Sequence, residues 1–257
     1  MKKGLIFILL IIIVILGGYI IIDKIYDGDI NNIFNKNEEN EIEEKKDESS
    51  SIKDDFIISY KEEKYEVEKI VSTRNLPIIV SKNYQDIATK IQESLTDISN
   101  QEWKNIKDSE DEYKNVLEDN LGIKYLVDES KRTDKYISFK FTEEGTFGGV
   151  SWDSIKVYNY SFKNGEVLKL SDIVSDYDKF MNEVVKLVKN KISEKNIDVS
   201  EDVIKSEIVK DGNWGIDSNE LIFYFDKYSI ASGAAGVINI SVSFDEIGNY
   251  IEKDYKN

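Results

Sequence analysis

From Gly4 to Ile22 the chain carries nineteen residues without a charge, preceded by Met1, Lys2 and Lys3 and followed by Asp23. In a helix rising about 1.5 Å per residue, such a run spans roughly 29 Å, the hydrocarbon thickness of a bilayer. Hydrocarbon offers backbone amides no water, so a spanning segment has to close its hydrogen bonds internally, as a helix. Lysines on the leading flank place the amino terminus in the cytoplasm and everything after Ile22 outside. The reading is a single-pass anchor over residues 1–22, in the cell membrane. A cleavable signal peptide is the rival reading, but its apolar core is about 7–15 residues long and ends at a small-x-small site. Here Tyr19 to Ile22 continue the apolar run past Gly17 and Gly18. Export follows from either reading.

Charge and missing residue types narrow the chemistry. There are 34 Lys and Arg against 50 Asp and Glu, a net charge of −16. Nucleic acid, whose phosphates demand a basic surface, is excluded as a partner. An acidic surface steers basic partners toward itself, and it also keeps a protein soluble. The chain has no cysteine and no histidine. Without cysteine there is neither a disulfide nor a lipid-modified cysteine anchor. Without histidine there is no Ser-His-Asp triad and no ordinary zinc site. These absences count against an enzyme, and the expectation is a non-enzymatic protein without cofactor or metal; carboxylate-only chemistry or a Ser–Lys pair remains open. The acidic pairs, such as Glu143 with Glu144, are too numerous to single one out.

Residues 23–55 hold twelve acidic residues and five lysines with only scattered apolar ones. Low hydrophobicity and high charge predict a disordered acidic stalk. Residues 56–257 are long enough for one sizeable core or two small lobes. Strands are expected at Tyr65 to Val71 and Leu76 to Val80. A helix follows with Tyr84, Ile87, Ala88, Ile91, Leu95 and Ile98 on one face, capped by Asn83. Tyr113, Val116 and Leu117 suggest a further helical segment. Ile123 to Val127 reads as a strand; Ile137, Phe139 and Phe141, then Tyr158, Tyr160 and Phe162, alternate as strands do. Asn164-Gly165 predicts a hairpin returning through Val167, Leu168 and Leu170. A short helical turn at Ser171 to Val174 precedes a second amphipathic helix from Phe180 to Ile192, with Ser175 as its cap. Leu221 to Phe225 and Ile238 to Phe244 supply the last strands. Helices separated by hairpins predict an α+β fold, an antiparallel sheet packed with two main amphipathic helices behind one transmembrane helix.

Three segments carry a family resemblance. Tyr158 to Ile173 resembles the pattern Y-N-hydrophobic-G-x-x-L-x-L-x-D-hydrophobic. Gly148-Gly149 stands where the family has a Gly-Gly-Ala-His-type loop, and Leu221 to Gly236 is similar to L-x-F-x-F-x-P-Y-E-I-A-P-x-A-x-G. The family is an extracellular domain of unknown function, found in lysozyme-binding anti-sigma-V factors and ahead of the catalytic domain of some peptidoglycan deacetylases. Val150-Ser151-Trp152 replaces the family's histidine, and Lys227 and Ser232 stand where prolines are usual. An anti-sigma factor needs a cytoplasmic domain, and three residues precede the anchor here. A deacetylase needs a further domain, and the chain runs to Asn257. The resemblance therefore implies a tethered extracellular binding module whose partner is lysozyme, another basic cell-wall-directed protein or a cell-wall component. The alternative is a peptidoglycan enzyme, or an accessory subunit without its own catalytic domain.

The candidate partner-binding residues are Gly148, Gly149, Trp152, Tyr228, Ile230, Ala231, Ala234 and Gly236. Trp152 and Trp214 sit in glycine-containing segments expected to be irregular, where an indole can stack on a sugar, anchor an interface or cover a sheet edge. Asp211, Asn213, Asp217 and Asn219 have the residue types of a calcium loop but lack the central Gly and terminal Glu of an EF-hand, and they are ordinary turn formers.

Overall fold

Two long strands open the fold, where the sequence suggested two short ones. Phe56–Val67 (β1) and Ile70–Ser81 (β2) pair antiparallel from Phe56 with Ser81 to Val67 with Ile70, so the expected strand at Tyr65 to Val71 contains their reversal. This computed structural model describes residues 51–67, 69–108, 121–147, 149–248 and 250–256. The expected anchor, residues 23–50 of the stalk, Gly148 and the segment holding Tyr113, Val116 and Leu117 lie outside the described residues. Among the described residues no helix is long and apolar enough to cross a membrane.

The folded part begins inside the stretch expected as stalk. Ile52–Asp55 forms a 3-10 turn, and Ile52 packs against the core below it. Asp55 explains the local order. Its carboxylate accepts hydrogen bonds from the Asn83 backbone N–H at 2.9 Å, from Asn83 Nδ2 at 2.7 Å and from the Ser81 hydroxyl. Burial pushes the Asp55 pKa up, but these donors outweigh it and hold the carboxyl below its ordinary value. Ser81 Oγ in turn accepts from the Tyr84 N–H, so Asp55 and Ser81 hold the chain at the start of helix Gln85–Asp108 (α1), while Asn83 donates to Asp55 instead of capping.

Leu121–Arg132 (β3), Tyr136–Phe147 (β4) and Val150–Ser161 (β5) complete a five-stranded sheet in the order β1-β2-β3-β4-β5. Its β2–β3 pair is parallel and spans Ile70 to Arg74 against Leu121 to Tyr125, a departure from the expected all-antiparallel sheet. Past that point the Asn75 side chain replaces the backbone, donating to Val127 O at 2.9 Å and accepting from Val127 N–H at 2.5 Å. Ala88, Ile91 and Leu95 of α1 bury the predicted stripe against Val127, Ile137, Phe139, Phe141 and Tyr160. Buried Arg74 locks the layers. It donates to Glu63 at 2.8 and 2.6 Å, to Ser99 O at 3.2 Å and to Asn100 Oδ1 at 3.0 Å, with its guanidinium 4.6 Å from the Trp103 ring centre.

The return strand expected after Asn164-Gly165 reduces to one bridge, Tyr160 with Val167, before a short helix at Leu170–Ile173 (α2). Helix Tyr177–Ser193 (α3) starts as Asp176, not Ser175, accepts from the Lys179 N–H; Ser175 bonds Tyr250 O instead. Helix Glu201–Ile208 (α4), capped by Ser200, leads to a second, three-stranded antiparallel sheet of Trp214–Asp217 (β6), Glu220–Phe225 (β7) and Ile238–Ser243 (β8). Phe244–Ile247 (α5) follows. A separate core unites Phe180, Val184, Val188 and Ile192 of α3 with Phe223, Phe225, Ile240 and Val242, and Tyr136 of β4 reaches into it. The α+β class stands, with two sheets where one was expected.

A candidate partner-binding surface

The chain between β7 and β8 is built around Tyr228. Asp226 starts the turn. Its carbonyl accepts from the Ser229 N–H at 3.0 Å and from Ser229 Oγ at 2.7 Å, which forces Tyr228 to a φ of 71°. A non-glycine residue there carries strain of about 1–2 kcal/mol, so the surrounding bonds must hold it. Its ring projects outward with 72% of the residue exposed. The ring lies against Gly233, where a Cβ would sit 2.1 Å from its Cε1 and Cζ. Only glycine leaves room for it.

Lys227 and Asp226 join this ridge to β5. Lys227 Nζ donates to Ser151 O at 3.0 Å and stands 5.4 Å from the centre of the Tyr228 ring. Asp226 accepts from Ser154 Oγ at 2.9 Å and from Lys156 Nζ at 2.6 Å. The two segments singled out in sequence, around Gly149 and from Tyr228 to Gly236, are thus brought side by side. Val150, 62% exposed, adds apolar surface at the same end of β5.

Not every candidate faces outward. Ile230 is only 7% exposed and belongs to the second core, with Ala231 packed against that core. Ile230 is therefore a packing residue, because the tight turn at Asp226 to Ser229 sends it inward. Ala234 is exposed in the 3-10 turn Gly233–Ala235, and Gly236 closes that turn at a φ of 66° with open space around it. Gly149 likewise has open space and a φ of 77°, in the β4–β5 reversal. Neither tryptophan is in an irregular segment. Trp152 lies on β5, flat over Gly145, with its indole N–H donated to Glu143 Oε1 at 3.0 Å. Trp214 is buried on β6. Asn213 is buried, and its Oδ1 is taken by Lys156 Nζ at 2.5 Å. No group of three or more acidic residues among the described ones is placed to hold a metal ion.

A sequence profile of the family described as "Protein of unknown function (DUF3298)" matches residues 171–245, from α2 to the start of α5. Residues 171–245 are a DUF3298 domain. The Tyr228 ridge therefore lies inside the DUF3298 domain, while the β5 segment that supports it lies before it. No curated protein matches the sequence. Among solved structures, a DUF3298 family member from Bacteroides fragilis NCTC 9343 is 12% identical, with 77% of this chain and 93% of that chain covered at a TM-score of 0.53. A DUF3298 family protein from Pseudomonas aeruginosa PAO1 is 12% identical over 78% of this chain and 95% of its own, at a TM-score of 0.49. The first likeness shows a shared fold extending beyond the DUF3298 domain into the five-stranded half.

Proposed function

We propose that the chain is a membrane-tethered extracellular binding module without catalytic activity, and that the Tyr228 ridge engages a basic cell-wall-directed protein such as lysozyme. The observation that carries this reading is the exposed, strained and braced Tyr228. A solvent-facing aromatic with few rotamers open to it loses little entropy on binding and has the character of an interface anchor. A net charge of −16 favours a basic partner and raises its encounter rate. The resemblance to lysozyme-binding anti-sigma-V factors names the kind of partner, and the apolar run from Gly4 to Ile22 supports the tether. A pull-down tests the idea. The immobilised full chain retains lysozyme at low salt and retains it poorly once Tyr228 is replaced by alanine. Retention that is equal for the Tyr228→Ala variant, or no better than that of an unrelated basic protein of matched charge, would refute it.

A further inference from the structure

An amine, an amide and a carboxylate converge where the two sheets meet. Lys156 projects from β5, Asn213 immediately precedes β6, and Asp226 immediately follows β7. Lys156 Nζ lies 2.5 Å from Asn213 Oδ1 and 2.6 Å from Asp226 Oδ2. The Asn213 carbonyl carbon is one C=O bond of about 1.23 Å beyond Oδ1, so it lies within about 3.7 Å of the amine. That is close to the reacting distance of about 3–3.5 Å in a near-attack arrangement.

The three groups are held there. Asn213 is 1% exposed, and its Nδ2 donates to Glu207 O at 2.9 Å, which orients Oδ1 toward the lysine. The Lys156 stem runs along Gly212, where a Cβ would lie 2.9 Å from Lys156 Cβ. The backbones are tied as well, since the Val157 N–H donates to Gly212 O at 2.7 Å. Asp226 is fixed through its other oxygen by Ser154 Oγ at 2.9 Å.

We propose that Lys156 and Asn213 become joined by an intramolecular isopeptide bond, with Asp226 carrying the protons. Asp226 takes one proton from the Lys156 ammonium, and the freed amine adds to Asn213 Cγ as the carbonyl electron pair moves onto Oδ1. Asp226 shuttles protons from the attacking nitrogen to Nδ2, the Cγ–Nδ2 bond breaks, and the carbonyl re-forms. One C–N bond replaces another, and ammonium leaves with the proton that Lys156 first carried. Nothing is oxidised or reduced. Pre-orientation is the source of the rate, since well-placed intramolecular partners react as though at about 10⁵–10⁸ M. Lys156 and Asp226 face each other as an ion pair whose side chains are 27% and 34% exposed, and the reaction is a slow maturation. The product ties the five-stranded sheet to the DUF3298 domain covalently in a chain that has no cysteine for a disulfide.

Intact-mass spectrometry of the full chain under denaturing conditions tests this independently of any binding partner. The expected mass is one ammonia below that of the sequence, and a digest contains a branched peptide joining the segments around Lys156 and Asn213. Lys156→Ala and Asp226→Ala both return to their full sequence masses. A succinimide at Asn164-Gly165 also loses ammonia, but it persists in Lys156→Ala and gives no branched peptide; that pattern overturns the proposal. So does a wild-type mass that stays at the sequence value through days of incubation. The wild-type mass and digest decide the matter even where a variant fails to fold.

Discussion

Replacing Gly233 with alanine separates binding from stability at the Tyr228 ridge. The new methyl would lie 2.1 Å from Tyr228 Cε1 and Cζ and 2.3 Å from its hydroxyl oxygen, so the ring must leave its seat. Little stability goes with it. A tyrosine buries about 200 Å² when fully covered, and Tyr228 is 72% exposed, so about a quarter of that area is lost, worth about 1 kcal/mol at roughly 25 cal/mol per Å². For a folded unit of this size that lowers Tm by about 2–4 °C. If Tyr228 is the anchor, affinity falls by at least about 2 kcal/mol, roughly 30-fold in Kd. Thermal melts and titrations against lysozyme on the same preparations read both numbers. Tyr228→Ala is expected to lose as much affinity, and the double variant no more than either alone, because both changes remove one interaction. A Gly233→Ala protein that melts normally and binds as tightly as wild type refutes the role given to the ring.

Three further outcomes follow from the packing and the ionisable groups. Ile230→Ala is expected to destabilise by about 2–5 kcal/mol in denaturant melts, because the residue is in the second core and not at the contact surface. Asp55→Ala is expected to cost about 1–2 kcal/mol by releasing the start of α1 from the segment before β1, measurable as a lower urea midpoint at unchanged m-value. Burial raises the Glu63 pKa, but hydrogen bonds from Arg74 and Lys61 outweigh it and leave the carboxyl below its ordinary value. A depressed carboxyl stabilises the fold above its unfolded value, near 4.3, and that contribution is lost as pH falls through the folded value. Glu63→Gln is therefore less stable than wild type at neutral pH, and the gap narrows between about pH 5 and pH 3. A gap that is constant across that window contradicts the assignment.

The two long helices were legible because their apolar residues recur every three to four positions, and both α1 and α3 bury that face. Boundaries were harder. The reversal between Val67 and Ile70 carries no Gly, Pro or Asn to mark it, so in sequence the apolar pattern runs through it as one strand. Ile52 to Asp55 look like more acidic stalk until Asp55 is seen bonded to residues 26 and 28 positions away. The parallel β2–β3 pair depends on a partner beyond a whole helix, which periodicity cannot reveal. At the candidate surface, the small-residue segment after Tyr228 was visible in sequence, but the inward turn of Ile230 was not. The cluster of Lys156, Asn213 and Asp226 left no local signal, since its members lie 57 and 70 residues apart from the lysine.

Calorimetric titration of the full chain with hen-type lysozyme, at low and then at raised salt, tests the central claim most directly. The account predicts saturable binding that weakens with salt, as an acidic protein meeting a basic one requires, and that falls about 30-fold or more with Tyr228→Ala. Absence of binding at low salt, or binding that Tyr228→Ala leaves unchanged, would contradict it.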